Sequence, residues 1–233
     1  GSLAALTGNT ELALTLFNQA VNGMKIPADR QNLARALSWR AALHRMMGNL
    51  NLAIADSRES LALIENDPDM HKVKAEGLRG IGLCLNKQGK LKDAITWLNQ
   101  ALSTSLSIGD VENANIIRLG LGATYENLGR YSEAKSLYQS ALEHWQKTEN
   151  NVWLANLYNN LGVLEHLTGT FEQAILCYEK ALHHARVSGS VRYEAFVLAG
   201  IGDVYADLEA TPEARAAYQQ ARVIAERIQV NYL

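Results

Sequence analysis

Small and bulky apolar residues recur along this chain with a step of 40 or 41 residues. A glycine marks each step, at Gly8, Gly48, Gly89, Gly129 and Gly169, with Glu209 in the sixth place. Five residues after each stands an alanine: Ala13, Ala53, Ala94, Ala134, Ala174 and Ala214. Four further on comes a mostly bulky side chain (Phe17, Ser57, Leu98, Tyr138, Tyr178, Tyr218), and three beyond that a small one, from Ala20 to Ala221. Seven residues before each turn another small residue recurs, at Ala41, Gly82, Gly122, Gly162 and Gly202. Spacings of three and four place these positions on one helical face, so each step predicts two helices joined at the glycine. The glycine supplies the left-handed conformation that ends the first helix. Small residues let the two axes approach, and the bulky ones fill the space beside them. One pair cannot bury its own apolar face, so successive pairs are expected to stack.

This period decides how RGIGLCLNKQGKL, residues 79–91, is read. Its glycines and Gly89-Lys90 have the look of a phosphate loop. The same G-x-G spacing returns in phase at Gly120/Gly122 and Gly200/Gly202, and Leu91 stands where a P-loop needs Ser or Thr. The stretch belongs to the repeat.

Composition narrows the function. The 233 residues are 48% hydrophobic and 20% charged, with a formal net charge of −2 and a sequence pI near 6.3, so no basic field points to nucleic acid. Strand-type alternation is almost absent, which predicts an all-α protein. Cys84 and Cys177 have neither the number nor the spacing of a disulfide framework or zinc site, and fit free thiols in a reducing, cytoplasmic compartment. The six histidines form no ligand motif, so neither metal nor cofactor is expected. No Ser/His/Asp order sits at a strand end, so no enzyme activity is expected. No apolar run is long enough to cross a bilayer.

The ends carry their own expectations. Gly1-Ser2 reads as a tag-cleavage scar, LAALTG (3–8) as the tail of a cut helix, and ERIQVNYL (226–233) lacks a polar capping helix. One repeat array over residues 1–233, excised from a longer protein, is the expected organisation. Its uncapped apolar ends offer a route to a homodimer.

The pattern of a small residue followed one turn on by an aromatic (Gly122 and Tyr125, Gly202 and Tyr205), then the turn glycine, then Ala-xxx-bulky-xx-Ala, resembles the tetratricopeptide repeat. The resemblance runs from about residue 8 to about residue 225 and is closest over 114–142 and 155–182. It implies a right-handed α-solenoid of about 11–12 helices in antiparallel pairs. The family's usual unit has 34 residues. Here the excess falls in the links, as in LSIGDVENAN (106–115) and TENNVWLAN (148–156), and the family's proline near that helix end is absent. Longer helices account for both. Such units are similar to the arrays of maltose-activator-like (LuxR-type) bacterial regulators, Leu-Gly-Asn repeat adaptors and kinesin light chains.

The resemblance implies a protein- or peptide-binding module of a larger signalling or transcription-regulatory protein, whose first helices line a concave groove. The outward positions of those helices then hold Arg35, Ser38, Trp39 and Arg45 in the first full pair, and Glu76, Arg79, Asn86 and Lys87 in the second. Ile116, Leu119, Glu126 and Asn127 come next, then Asn156, Asn159, Asn160 and His166, then Phe196, Asp203 and Asp207. Arginines dominate early and aspartates late, which predicts a partner segment with acidic residues toward the N-terminal pairs. Asparagines between them can donate to and accept from a peptide backbone. The chaperone-tail carboxylate clamp needs an asparagine where Ala42 stands and does not fit. Two other functions remain open: a sensor in which a small-molecule inducer binds the groove, and a self-assembly scaffold. Tyr138, Tyr178 and Tyr218 are expected in the core. Trp39 breaks the register and is a groove candidate, whereas Trp97, Trp145 and Trp153 are either link-packing residues or exposed contacts.

Overall fold

The computed structural model describes residues 10–24, 29–65 and 67–227. Expectations about Gly8, the leading Gly-Ser and the last six residues therefore lie outside the described residues. Among those described there are eleven α-helices and no strand. They are α1 (Thr10–Gly23), α2 (Arg30–Met46), α3 (Leu50–Leu63), α4 (His71–Lys87), α5 (Leu91–Ser107), α6 (Val111–Asn127), α7 (Tyr131–Lys147), α8 (Asn151–Leu167), α9 (Phe171–Val187), α10 (Val191–Asp207) and α11 (Thr211–Arg227). A single 3-10 turn, Pro68–Met70, precedes α4.

From α4 onward every helix has 17 residues and every link has three. The 40-residue step is thus two equal half-steps of 20. Each link puts its middle residue at positive φ: Gly89, Gly109, Gly129, Gly169 and Gly189, with Glu149 and Glu209 taking the same conformation. The residue after it donates its backbone N–H to the carbonyl five positions back, as in Lys90 to Leu85, Asp110 to Ser105 and Asn150 to Trp145. That bond closes the helix end through a left-handed residue, a conformation glycine takes without the Cβ penalty that Glu149 and Glu209 carry. The long links expected at 106–115 and 148–156 are mostly helix, extended by about a turn on each side of these hinges.

The described chain forms two compact units that divide at Leu128/Gly129. In the N-terminal unit α2 packs on α3 and α4 on α5, with α1 and α6 flanking them. In the C-terminal unit α8 packs on α9 and α10 on α11, with α7 flanking. Within each unit the first helices of successive pairs also touch one another, α2 with α4, α4 with α6, and α8 with α10. The first helices therefore form a continuous row in each unit.

A single bulky side chain ties the α8–α9 pair to the pair that follows. Tyr178 of α9 is fully buried. A Cβ built on Gly162 of its partner helix would lie 2.7 Å from the Tyr178 ring, and one on Gly200 of the next pair would also lie 2.7 Å from it. The ring is a wedge seated between two glycines of different helices, and only glycine leaves room for it there. Leu98 fills the same place against Gly82, at 2.6 Å, and makes an ordinary 3.6 Å contact with Gly120 of the next pair, which Leu83 approaches more closely, at 3.0 Å. Tyr138 is buried as well. Tyr218, expected in the core, is instead 39% exposed. It fits against Gly202 of its own pair, and among the described residues no further pair follows to cover its other side.

The tryptophans left undecided by sequence resolve as packing residues. Trp145 is buried and stacks on Trp153 across the α7–α8 link, at 5.5 Å between ring centroids. Trp97 packs against the cluster of Ala53, Ile81 and Ala94.

The hinges give a direct test. An ordinary residue in the left-handed region costs about 1 kcal/mol relative to glycine. Glu149→Gly and Glu209→Gly should each raise the stability by roughly 0.5–1 kcal/mol in urea unfolding. No gain at either position would show that these links are not strained hinges.

Candidate functional site

The first-helix row of each unit carries polar side chains singled out in the sequence. Arg35, Trp39 and Asp203 are exposed, while Ser38, Arg45, Glu76, Arg79, Asn86, Glu126, Asn156, Asn159, Asn160 and His166 are half-buried. Leu119 departs from its expected place: it is only 5% exposed and belongs to the core of the N-terminal unit.

Several of these groups are engaged with one another across neighbouring first helices. Asn127 donates to Asn86 at 2.9 Å, and His166 lies 2.8 Å from Asp207. These are equivalent rungs: each joins the position three before one turn to the position two before the next. In the C-terminal unit the Asn156 amide donates to the Tyr193 hydroxyl, and Asn160 donates to Asn156. Asp203 accepts from Tyr218 at 2.7 Å, a bond that helps to push the phenol pKa up to about 12. The acidic end anticipated in the sequence thus has His166 and Tyr218 as partners.

The N-terminal unit differs. The rung position that joins the first and second pairs holds Arg45 and Lys87, two cations that cannot bond to each other. Nearby, between α2, α3 and α4, lies a cleft of about 140 Å³. It is lined by Trp39, Arg45, Glu76 and Arg79 together with Ser38, Ser57 and Gly80. Five residues picked out from sequence for the outward face, Ser38, Trp39, Arg45, Glu76 and Arg79, are brought together here. Arg35, Asn86 and the later candidates are not part of it.

Electrostatics in the cleft are unbalanced. The Arg79 Nε is shielded from solvent and has no hydrogen-bond partner. Burial lowers the affinity of the Arg79 guanidinium for its proton, Arg45 lowers it further, and Glu76 opposes both. Burial also raises the Glu76 carboxyl above the usual carboxylate range, against the pull of Arg79 and Lys72. Glu76 is one helical turn from Arg79, yet the two make no ion pair within 4 Å. By contrast Arg40, on the same helix as Arg45, is fully engaged: it grips Asp56 through two 2.7 Å bonds and also reaches Asn18. Trp39 is 48% exposed and lies parallel to Phe17 at 6.5 Å, which fixes one wall of the cleft.

Sequence spacing alone missed why the cleft exists. Ser57 occupies the wedge position filled by Leu98, Tyr138 and Tyr178 elsewhere. Its hydroxyl oxygen lies 3.4 Å from where a Cβ on Gly80 would sit, and Ala41 and Gly80 both line the open space. The break in the bulky series was visible in the sequence, and it was the available signal.

Among the described residues no group of three His, Cys, Asp or Glu side chains could hold a metal ion, and no helix is long and apolar enough to cross a membrane. Cys84 is buried and Cys177 half-buried, both as free thiols whose pKa burial raises.

Comparison with known proteins gives this geometry a family. Residues 32–107 and 113–186 match the model of the tetratricopeptide repeat. No curated protein sequence matches significantly. Among solved structures the chain is similar to BtubC (BKLC) from P. vanneervenii, with 20% identity over 96% of this chain and 94% of that one and a TM-score of 0.74. It is also similar to a Rap protein complexed with competence and sporulation factor (13% identity, 98% and 73% covered, TM-score 0.73). A third similar structure is the apo quorum sensor NprR from B. thuringiensis (17% identity, 96% and 60% covered, TM-score 0.69). At these identities the likeness is one of fold.

A shielded N–H without an acceptor, such as the Arg79 Nε–H, lowers stability, and an apolar side chain of similar length removes that cost. Arg79→Met should therefore raise the unfolding free energy by about 1 kcal/mol. A loss of stability in urea titration would show that Arg79 is structurally satisfied.

Proposed function

The chain belongs to the tetratricopeptide repeat family, and we propose that it is a non-catalytic, peptide-binding module of a larger cytoplasmic signalling or transcription-regulatory protein. The partner is an extended or helical segment whose acidic residues lie along the first-helix row of the N-terminal unit. The observation that carries this reading is the contrast between the two units. In the C-terminal unit the row's aspartates have His166 and Tyr218 as partners, whereas in the N-terminal unit Arg45 and Arg79 form no ion pair among the described residues. Exposed Arg35 and Lys87 extend the same positive surface.

The mechanism is rigid display. Each wedge fixes the spacing of neighbouring first helices, so the row is ordered before a partner arrives, and binding costs little ordering on the protein's side. Exposed arginines and lysines contribute mainly to the rate of encounter and to the choice of partner. The Rap protein structure is a complex with competence and sporulation factor, and NprR is a quorum sensor. Both descriptions support a regulatory role.

Selection from a displayed random-peptide library tests the proposal. Enriched sequences should carry clustered Asp or Glu. The variant Arg35→Glu/Lys87→Glu, which alters only exposed side chains, should bind them about tenfold more weakly, a loss of about 1.4 kcal/mol. Changing Glu172 and Gln173 on the second-helix α9 should leave binding intact. Peptides without acidic residues, or equal affinity for the charge-reversed variant, would overturn the reading.

A further inference from the structure

Large side chains fill the wedge position at Leu98, Tyr138 and Tyr178, whereas Ser57 leaves a hole open toward the first-helix row. We infer that this hole is a carboxylate subsite: the partner inserts one carboxylate-bearing group where the repeat's own bulky residue is replaced by serine. The inference rests on the peptide-binding reading above and names what its N-terminal end recognises.

Three observations converge on it. The space lies where the series of bulky residues is interrupted: the small side chains of Ala41, Ser57 and Gly80 line it together, and the Ser57 hydroxyl touches the Gly80 backbone position without filling the cleft beside it. Its charge is also defined. Arg79 and Arg45 both line it, and the Arg79 Nε–H is shielded from water with no acceptor. Finally, the rest of the lining suits a short acid: the hydroxyls of Ser38 and Ser57 can donate, and Trp39 walls one side. Two guanidinium groups lining one cleft favour a carboxylate over a neutral amide, since the bond is charge-assisted. Glu76 shares the cleft and sets its selectivity. Its carboxylate partly offsets the two arginines, so the site favours a single negative charge over a doubly charged phosphate.

The acid could be an Asp or Glu side chain or the C-terminus of a chain, and the test separates them. Three short alanine-based peptides serve as probes: one with a central Glu and an amidated end, one with Gln in its place and an amidated end, and one with Gln and a free C-terminal carboxylate. The readout is the Arg79 Nε–H resonance in proton–nitrogen spectra of the full chain, assigned by its loss in Arg79→Met. A carboxylate should move that resonance downfield in a saturable way, whereas the amidated Gln peptide should not. Ser57→Leu restores the wedge, so it should fold with a raised melting temperature and bind the effective carboxylate probe about tenfold more weakly. Inorganic phosphate at equal ionic strength should compete poorly.

An unmoved Arg79 resonance with both carboxylate peptides would overturn the subsite, as would unchanged binding to Ser57→Leu. If acidic library peptides still require Arg35 and Lys87 under those outcomes, the peptide-binding reading stands without it. If they do not, both fail together.

Discussion

A bulky side chain pressed between two residues that lack room for anything larger than hydrogen is the contact on which this architecture depends. Tyr178 touches the positions of Gly162 and Gly200 at once, and so ties the two helices of its own pair to the first helix of the next. Neither a helix pair nor a single interface would persist on the amphipathic pattern alone, because each pair leaves an apolar face uncovered. The wedge makes the stacking distance specific, since close-packed interiors tolerate neither a gap nor an added methyl without cost.

Two consequences reach the surface. The first helices are held in a row, so polar groups at equivalent positions of successive pairs come within bonding distance, as in Asn86–Asn127 and His166–Asp207. Where the wedge is replaced by Ser57, the same geometry leaves a cleft, and the polar groups around it are left with unmatched charge. Regular packing and polar satisfaction fail at the same place. Local departures from otherwise consistent rules are where function is expected, because the stability they forgo has to be retained for a reason.

Much of this was legible in the chain. The alternation of glycine, alanine and bulky positions established helix pairs, their order and their turns, because a close helix approach leaves few residue choices. The equal 20-residue half-step was harder to see. Glu149 sits at one hinge where Gly109 and Gly189 mark the others, and the alanine register repeats only on every second helix. Tyr218 could not be told from Tyr178 by pattern, since its exposure depends on whether another helix pair packs over it. Leu119 shares a helix with outward-facing residues, and its burial is not marked by the repeat pattern. Of the candidate site, the residue types and the face were readable. The cross-helix rungs that engage Asn156 and His166 were not, nor was the isolation of Arg79, because both are set by distances between turns of separate helices.

Equilibrium unfolding of Tyr178→Ser, which gives the α8–α9 pair the side chain that Ser57 supplies in the α2–α3 pair, tests the central claim most directly. If the wedge holds the stack, that variant loses about 3–5 kcal/mol, as large-to-small changes at well-packed aromatic sites do. A loss below about 1 kcal/mol, the range of ordinary surface substitutions, would mean that the pairs stack without it and that the cleft at Ser57 needs another explanation.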